Sequence, residues 1–404
     1  MSVVSQPDSP RRVVIVGASL AGLHAARTLR QEGFDGLLTI VGGEHHLPYD
    51  RPPLTKQVLS AGWELDRIDL SREEDASLAI DWRLGTRATS LDTRARRIGL
   101  SDGSSVAYDG LVIATGATPR RLPGTPDLDG IHVLRTLEDA LALRAELDDM
   151  PGRVVIVGSG FVGAEVAAAC RLRNIDVTIV EALPSPFARV LGTSVGEACV
   201  AMHRDRGVDV RGHAAVMHYD GGRRVGRVVL ADGEVIEADV VVVGIGVQPE
   251  TGWLEGSGLD LTDGVLCDET CLAAPDIVAA GDIARWPNPR FGRTMRVEHW
   301  DNAIRQGEHA ARRLLGRKEP FDPLPWFWSD QYDRKLQLAG DPISHDEVVL
   351  LEEFGDAERL VALYRRGDRL AAVAGINRSR RVLEFRRLIQ EGAKWTDAIS
   401  VASR

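Results

Sequence analysis

Residues 12–42 read RVVIVGASLAGLHAARTLRQEGFDGLLTIVG, and residues 153–181 read RVVIVGSGFVGAEVAAACRLRNIDVTIVE. Each stretch opens with a short Val/Ile run and turns through a glycine-rich loop. It continues as an amphipathic segment rich in Ala and Leu, then closes on a second apolar run. The switch from continuous apolar sequence to a 3.6-residue period and back is that of a βαβ unit. A unit of this length, repeated within one chain, predicts two nucleotide-binding domains.

The second loop, Gly158-Ser159-Gly160-Phe161-Val162-Gly163, is a complete G-x-G-x-x-G. Its glycines permit a tight turn, close approach of backbone to pyrophosphate, and close packing of strand on helix. The first loop, Gly17-Ala18-Ser19-Leu20-Ala21-Gly22, carries Ser19 where the middle glycine is expected. Serine is small enough to keep that approach. Glu181 ends the second strand of the later unit, where a carboxylate binds adenosine ribose hydroxyls and repels a 2′-phosphate. NADH is therefore expected over NADPH, with Arg189 the nearby cation that would favour the phosphate. In the first unit Gly42 falls opposite Glu181, and Glu44, two residues on, is the candidate acid.

Working outward, residues 71–114 alternate short strands and turns and end at the apolar Leu111-Val112-Ile113-Ala114. Residues 216–247 repeat that arrangement, ending at Val240–Val243. From Trp326 the character changes to strand-like runs at 336–339, 348–351, 360–364 and 371–376, with a final helix near 380–391. The expected fold class is α/β: two Rossmann-like dinucleotide-binding domains plus a C-terminal α+β domain.

The composition agrees with a globular chain: 404 residues, 44% apolar and 27% charged, enough for two or three domains. The 41 glycines exceed the usual share of about 7% and belong to turns and close approaches. A net charge of −10 argues against a nucleic-acid binder. Four scattered cysteines, Cys170, Cys199, Cys267 and Cys271, make neither a disulfide scaffold nor a zinc ribbon, and buried thiols are expected. His45, His46 and His299 lack partners for a metal site, so none is expected. The polar start MSVVSQPDSPRR carries no targeting segment, and no run approaches the ~18 apolar residues of a membrane span. A cytoplasmic protein is the expectation.

Two dinucleotides in one chain suggest a flavin reduced by a nicotinamide. At this point the sequence resembles a known superfold. Residues 114–120 (ATGATPR) and Ala280-Gly281-Asp282 look like the later FAD motifs of the glutathione-reductase superfold, and residues 244–249 (GIGVQP) like its turn at the edge of the NAD domain. The resemblance implies a discontinuous FAD-binding domain (1–118 and 247–322), an inserted NAD-binding domain (119–246) and a C-terminal interface domain (323–404). It also implies that Asp282 binds the flavin ribityl chain at a helix N-terminus.

Disulfide reductases of that superfold carry a reactive Cys on the helix after the first βαβ unit. Here the stretch is HHLPYDRPPLTK at 45–56, and the first cysteine is Cys170. PYDRPPLTK, Arg135-Thr136, Glu298-His299-Trp300 and the run Trp326–Gln331 together resemble the oxygenase-coupled ferredoxin reductases, the group that includes reductase components of aromatic-ring dioxygenases. The resemblance implies Lys56 near flavin N5, paired with Glu165. It assigns FAD contacts to Gly17, Ser19, Ala21, Gly22, Gly43, Glu44, Arg51, Ala88, Ala114, Thr115, Gly116, Arg135 and Asp282. Glu298, His299, Trp300 and Trp328 line the flavin on the same reading, His299 by backbone contact rather than as a base. The NADH contacts are Gly158, Gly160, Phe161, Gly163, Glu181, Ile245 and Gly246. Lys56 is one of four lysines among 49 basic residues.

The implied reaction moves a hydride from NADH to FAD, then single electrons to a [2Fe-2S] ferredoxin feeding a haem monooxygenase or Rieske oxygenase. Residues 285–335 and 365–387 are locally basic, so an acidic ferredoxin is expected to dock there, with Arg305, Arg312 and Arg313 as candidates. The expected state is a monomer or weak homodimer. The alternatives are a rubredoxin reductase, an NADH oxidase, or an apoptosis-inducing-factor-like flavoprotein with a structural role.

Overall fold

A computed structural model describes residues 10–343, 345–351 and 359–403, which divide into two compact units. The N-terminal segment read above as untargeted falls largely outside them, at residues 1–9. The first unit comprises Met1–Asp50, Ile68–Thr118 and Gln248–Pro325; the second comprises Arg51–Arg67, Pro119–Val247 and Trp326–Arg404.

In the first unit Arg12–Val16 is a central strand, parallel to Leu37–Val41 on one side and Gly110–Ile113 on the other. Ile80–Arg83 and Ile277–Ala279 extend the sheet in parallel, and Leu272–Ala274 adds an antiparallel edge. Central strands buried on both faces need apolar residues at every position. Val13 and Ile15 accordingly pack into one core with the helices Leu20–Gln31 and Trp300–Leu314, while Val14 and Val16 pack into another with Trp253, Trp286 and Phe321. A three-stranded antiparallel sheet, Ala88–Asp92, Arg97–Leu100 and Ser105–Ala107, completes the repeat.

The second unit repeats this plan. Arg153–Val157 lies parallel between Asp176–Val180 and Val240–Val243, with Asp209–Arg211 and Ile131–His132 outermost. The helix Phe161–Leu172 follows the glycine loop, and Val216–Gly221, Val225–Leu230 and Val235–Glu237 form the matching three-stranded sheet. From Trp326 five antiparallel strands follow in the order Trp326–Gln331, Arg334–Gly340, Arg369–Ile376, Leu360–Arg366, Glu347–Leu350. The helices Ser379–Gln390 and Trp395–Ala402 end the chain. The expected α/β class with a C-terminal α+β region is what forms. The strand at Trp326 and the last helix go beyond the sequence reading. Among the described residues no helix is long and apolar enough to cross a membrane.

Candidate functional site

The glycine loops build two similar cradles. Gly17 has φ +126°, and a Cβ there would lie 2.0 Å from the Ala114 carbonyl oxygen. Gly158 has φ +98°, and a Cβ there would lie 2.5 Å from the Gly244 carbonyl oxygen. Neither place accepts a side chain. Gly22 and Gly163 are closed off in the same way by the carbonyls of Gly17 and Gly158. The middle positions differ: Ser19 and Gly160 are helix N-caps in extended backbone, and a Cβ at Gly160 would meet nothing nearer than 3.5 Å. Serine in the first loop therefore costs the fold nothing.

Around the first loop, Ala21 packs on Gly281, and the helix Trp300–Leu314 crosses so closely at Gly307 that a Cβ there would lie 2.4 Å from the Ala21 carbonyl oxygen. Thr115 Oγ1 donates to the Glu250 carbonyl (3.0 Å), and Gly116 accepts from the Glu250 N–H (3.0 Å). Gly43 faces Arg87, and Ala88 opens the strand that follows. Glu44 accepts from the Tyr49 hydroxyl. Glu298 pairs with Arg296 (2.6 Å), and the Trp300 indole donates to Asp50 (2.7 Å). His299 is the N-cap of its helix, and burial pushes its imidazole down to about 4, so it stays neutral near pH 7. One expectation needs refinement. Asp282 begins no helix of its own but sits in a tight turn, closed by Ala284 N–H to the Gly281 carbonyl (2.9 Å), that leads into the strand Ala284–Asn288, and its charge acts on His299, the N-cap of the helix Trp300–Leu314. The helix near it is Trp300–Leu314, whose Gln306 accepts from the Gly281 N–H (3.0 Å).

In the second unit Glu181 is held in place by its own loop. One carboxylate oxygen accepts from the Ser159 N–H (2.9 Å) and hydroxyl (2.6 Å), the other from the Leu183 N–H (3.0 Å). Burial pushes this carboxyl up, but the Leu183 and Ser159 donors outweigh it and leave it below the usual range. Ile245 borders Gly158, and the Arg189 guanidinium lies beside Gly246. Phe161 packs against Phe327, with ring centroids 4.2 Å apart and the planes tilted by 38°. Trp326 and Trp328 share one strand face, and Trp326 carries the Arg386 guanidinium at 5.0 Å.

The 51–67 segment brings a charged pair into this unit. Lys56 Nζ lies 3.0 Å from Glu165 Oε1, with the side chains only 12% and 7% exposed. The same oxygen accepts from the Ser329 hydroxyl (2.6 Å), and Oε2 accepts from the Thr55 hydroxyl. Burial drives the Glu165 carboxyl above its ordinary range, opposed by the Lys56 charge and by both hydroxyls. Such a buried pair persists only where extra hydrogen bonds satisfy its remaining lone pairs. Arg51 Nη1 donates to the Arg135 carbonyl (2.5 Å), which joins two more of the expected residues.

All four cysteines are buried and unpaired. Burial pushes Cys170, Cys199 and Cys267 up to about 12, and Cys271 well above its ordinary value. None is a thiolate at neutral pH.

The loops fit the groups they would hold. Each glycine cradle is one that a Cβ would fill, and each following helix begins without an acidic first turn or a capping side chain. Its N–H groups are thus left to an anion. Each loop fits a dinucleotide pyrophosphate. Sequence reasoning assigned no role to Thr55, Ser159 or Ser329. Ser159 and Thr55 sit inside quoted motifs, and the two-residue strand period turns Ser329 away from Trp328.

A family model described as pyridine nucleotide-disulphide oxidoreductase matches residues 11–307, and one described as reductase C-terminal matches residues 326–402. The chain is 36% identical over 386 residues to rhodocoxin reductase of Rhodococcus erythropolis, covering 93% of this chain and 89% of that one. It is 40% identical over 351 residues to the ferredoxin–NAD(+) reductase component of the p-cumate 2,3-dioxygenase system of Pseudomonas putida, covering 85% of each. The crystal structure of the covalent putidaredoxin reductase–putidaredoxin complex matches with a TM-score of 0.90 at 32% identity, over 95% of this chain and 93% of that one.

Proposed function

The chain belongs to the pyridine nucleotide-disulphide oxidoreductase family, and from that membership we propose that it is an FAD-dependent NADH:ferredoxin oxidoreductase serving an oxygenase. FAD, when bound, supplies the conversion of a two-electron donor into single electrons for a [2Fe-2S] ferredoxin. The observation that carries the reading is the buried Lys56–Glu165 pair in a chain whose thiols are all sequestered. A disulfide relay needs an accessible thiolate, whereas hydride transfer needs alignment and a placed charge.

On this reading the first glycine loop, with Glu44, Thr115, Asp282 and Trp300, holds FAD. Gly158, Gly160 and Gly163 receive the NADH pyrophosphate, and Glu181 receives its ribose. Lys56 supplies positive charge where hydride transfer places negative charge, and Glu165 keeps its ammonium in position. The FAD-binding part is then discontinuous, at 1–118 and 247–322, around an NAD-binding insert. An acidic ferredoxin docks on basic surface of the first unit. Arg305 is the best candidate contact, at 45% exposure and, among the described residues, paired within its own helix to Asp301; Arg312 is tied to Glu32 and Arg313 to Thr270.

The test is anaerobic NADH-dependent cytochrome c reduction with and without added [2Fe-2S] ferredoxin. Strong stimulation by the ferredoxin is expected. Stimulation by rubredoxin alone, or, in a parallel aerobic assay, rapid NADH oxidation by oxygen with no effect of either carrier, would reject the reading.

A further inference from the structure

Glu165 stands at the end of a buried chain of polar side chains that hydride transfer does not by itself require. Ser329 and Gln331 share the strand face opposite Trp328. Gln331 Nε2 donates to Ser329 Oγ (3.0 Å), and Ser329 donates to Glu165 (2.6 Å). Gln331 Oε1 lies 3.0 Å from His203 Nε2, and His203 Nδ1 lies 2.9 Å from the Tyr332 hydroxyl.

The partners assign every proton. The Ser329 hydrogen goes to the carboxylate, so Ser329 accepts from the Gln331 amide nitrogen. The amide oxygen then faces His203 and only accepts, which puts the imidazole proton on Nε2 and leaves Nδ1 to accept from Tyr332. All four hydrogens point toward Glu165. Ser329, Gln331 and His203 are at most 2% exposed. The His203 ring is stacked on Phe187 (5.5 Å, 4°), and Tyr332 is covered by Arg206 (4.7 Å), which is paired with Asp333. Burying this many polar groups is costly where apolar ones would fill the space. Hydrogen bonds aligned in one sense polarise one another and strengthen the last donor.

We propose that His203, Gln331 and Ser329 form a one-way hydrogen-bond relay, anchored at Tyr332, that keeps Glu165 ionised and aligned with Lys56. His203 and Gln331 are then positioning residues for the reaction. The inference rests on the reading of Lys56–Glu165 as the functional pair. Lys56 and Thr55 face Glu165 from the 52–56 segment, and Ser329 faces it from the strand. Arg206 faces His203 from the turn that follows the helix Ala188–Arg204, Gln331 and Tyr332 face it from the hairpin, and Phe187 covers its ring.

The test is an infrared titration of the flavin-loaded protein, following the protonated-carboxyl band that disappears in Glu165→Gln. In Gln331→Leu and His203→Phe the band is expected to titrate roughly 0.5–1 pH unit higher, a three- to tenfold change in proton affinity. His203→Gln still accepts from Tyr332 and donates to Gln331, so it should titrate near the wild-type pH. Tyr332→Phe removes a single oxygen, which guards against misfolding, and should shift the band the same way by less. The acid limb of NADH-to-flavin hydride transfer should follow each shift. Unmoved titration in Gln331→Leu, His203→Phe and Tyr332→Phe, or equal shifts in His203→Gln and His203→Phe, overturns the relay. Wild-type hydride transfer in Lys56→Met would instead sink the reading of the pair, while the infrared result still judges the relay.

Discussion

Lys56 and Glu165 form an ion pair at 3.0 Å whose two side chains are almost entirely withdrawn from water. On the proposed reading the lysine supplies the charge and the glutamate supports it. Lys56→Met is expected to slow NADH-to-flavin hydride transfer about 100-fold, in the range for loss of one placed electrostatic group. Glu165→Gln should slow it roughly tenfold, since the ammonium remains but loses its countercharge. Anaerobic stopped-flow bleaching of the flavin reads both, with KM for NADH little changed.

Glu181 should set the choice of nicotinamide. Its carboxylate is oriented by Ser159 and Leu183. Glu181→Ala is expected to raise KM for NADH about tenfold, as loss of a charged hydrogen bond does. NADPH, no longer repelled and with Arg189 close by, should improve. An unchanged NADH:NADPH ratio of kcat/KM would reject the assignment.

The two loops also predict which glycine can be lost. Gly160→Ser should fold with normal flavin content and melt within about 0.5 kcal/mol of wild type, as ordinary surface changes do. Its effect should be confined to KM for NADH. Gly17→Ala drives a Cβ into the Ala114 carbonyl, and the purified protein should carry little flavin. Flavin absorbance per protein, with melting temperature, checks the pair.

Acid sensitivity follows from two buried histidines. Burial pushes His203 and His299 each down to about 4, whereas an unfolded histidine titrates near 6.5. Between those values the unfolded chain binds more protons. Each neutral imidazole therefore leaves stability intact above pH 6.5, and stability falls as the pH drops toward 4, by up to about 3 kcal/mol per histidine. His299→Asn should flatten the fall in melting temperature between pH 6.5 and 5; an identical slope would count against this account.

Docking is tested at Arg305. Arg305→Glu is expected to raise KM for an acidic ferredoxin several-fold, and more so at low salt, through lost steering. NADH-to-ferricyanide activity should stay intact. An equal loss of both would sink the idea.

Both βαβ units were legible because a strand covered on both faces must be apolar throughout, and a tight βα turn must be glycine. Even the pairing of Gly42 with Glu181 has a physical basis. Gly42 donates to Arg83 and accepts from Thr86, as Glu181 donates to Arg211 and accepts from Ala214. What stayed hidden depends on long-range contact. The turn and strand at Asp282 stayed hidden because Gly-Asp before an apolar stretch has the same local pattern whether helix or strand follows. Thr55, Ser329 and His203 stand far apart in sequence, and only the tertiary fold collects them around or behind Glu165. The grouping of residues 51–67 with the second unit had no compositional mark at all.

The chain passes between its two units five times, so the order of synthesis matters. The strand Ile277–Ala279 must emerge from the ribosome before Gly110–Ile113 gains its second neighbour. Gly307 must follow before the helix Trp300–Leu314 closes over Ala21. The first glycine loop, made within the opening 22 residues, therefore waits for about three-quarters of the protein before its surroundings are complete. If the first loop holds the flavin as proposed, flavin capture waits until then, and nascent chains stalled before Trp300 should emerge colourless.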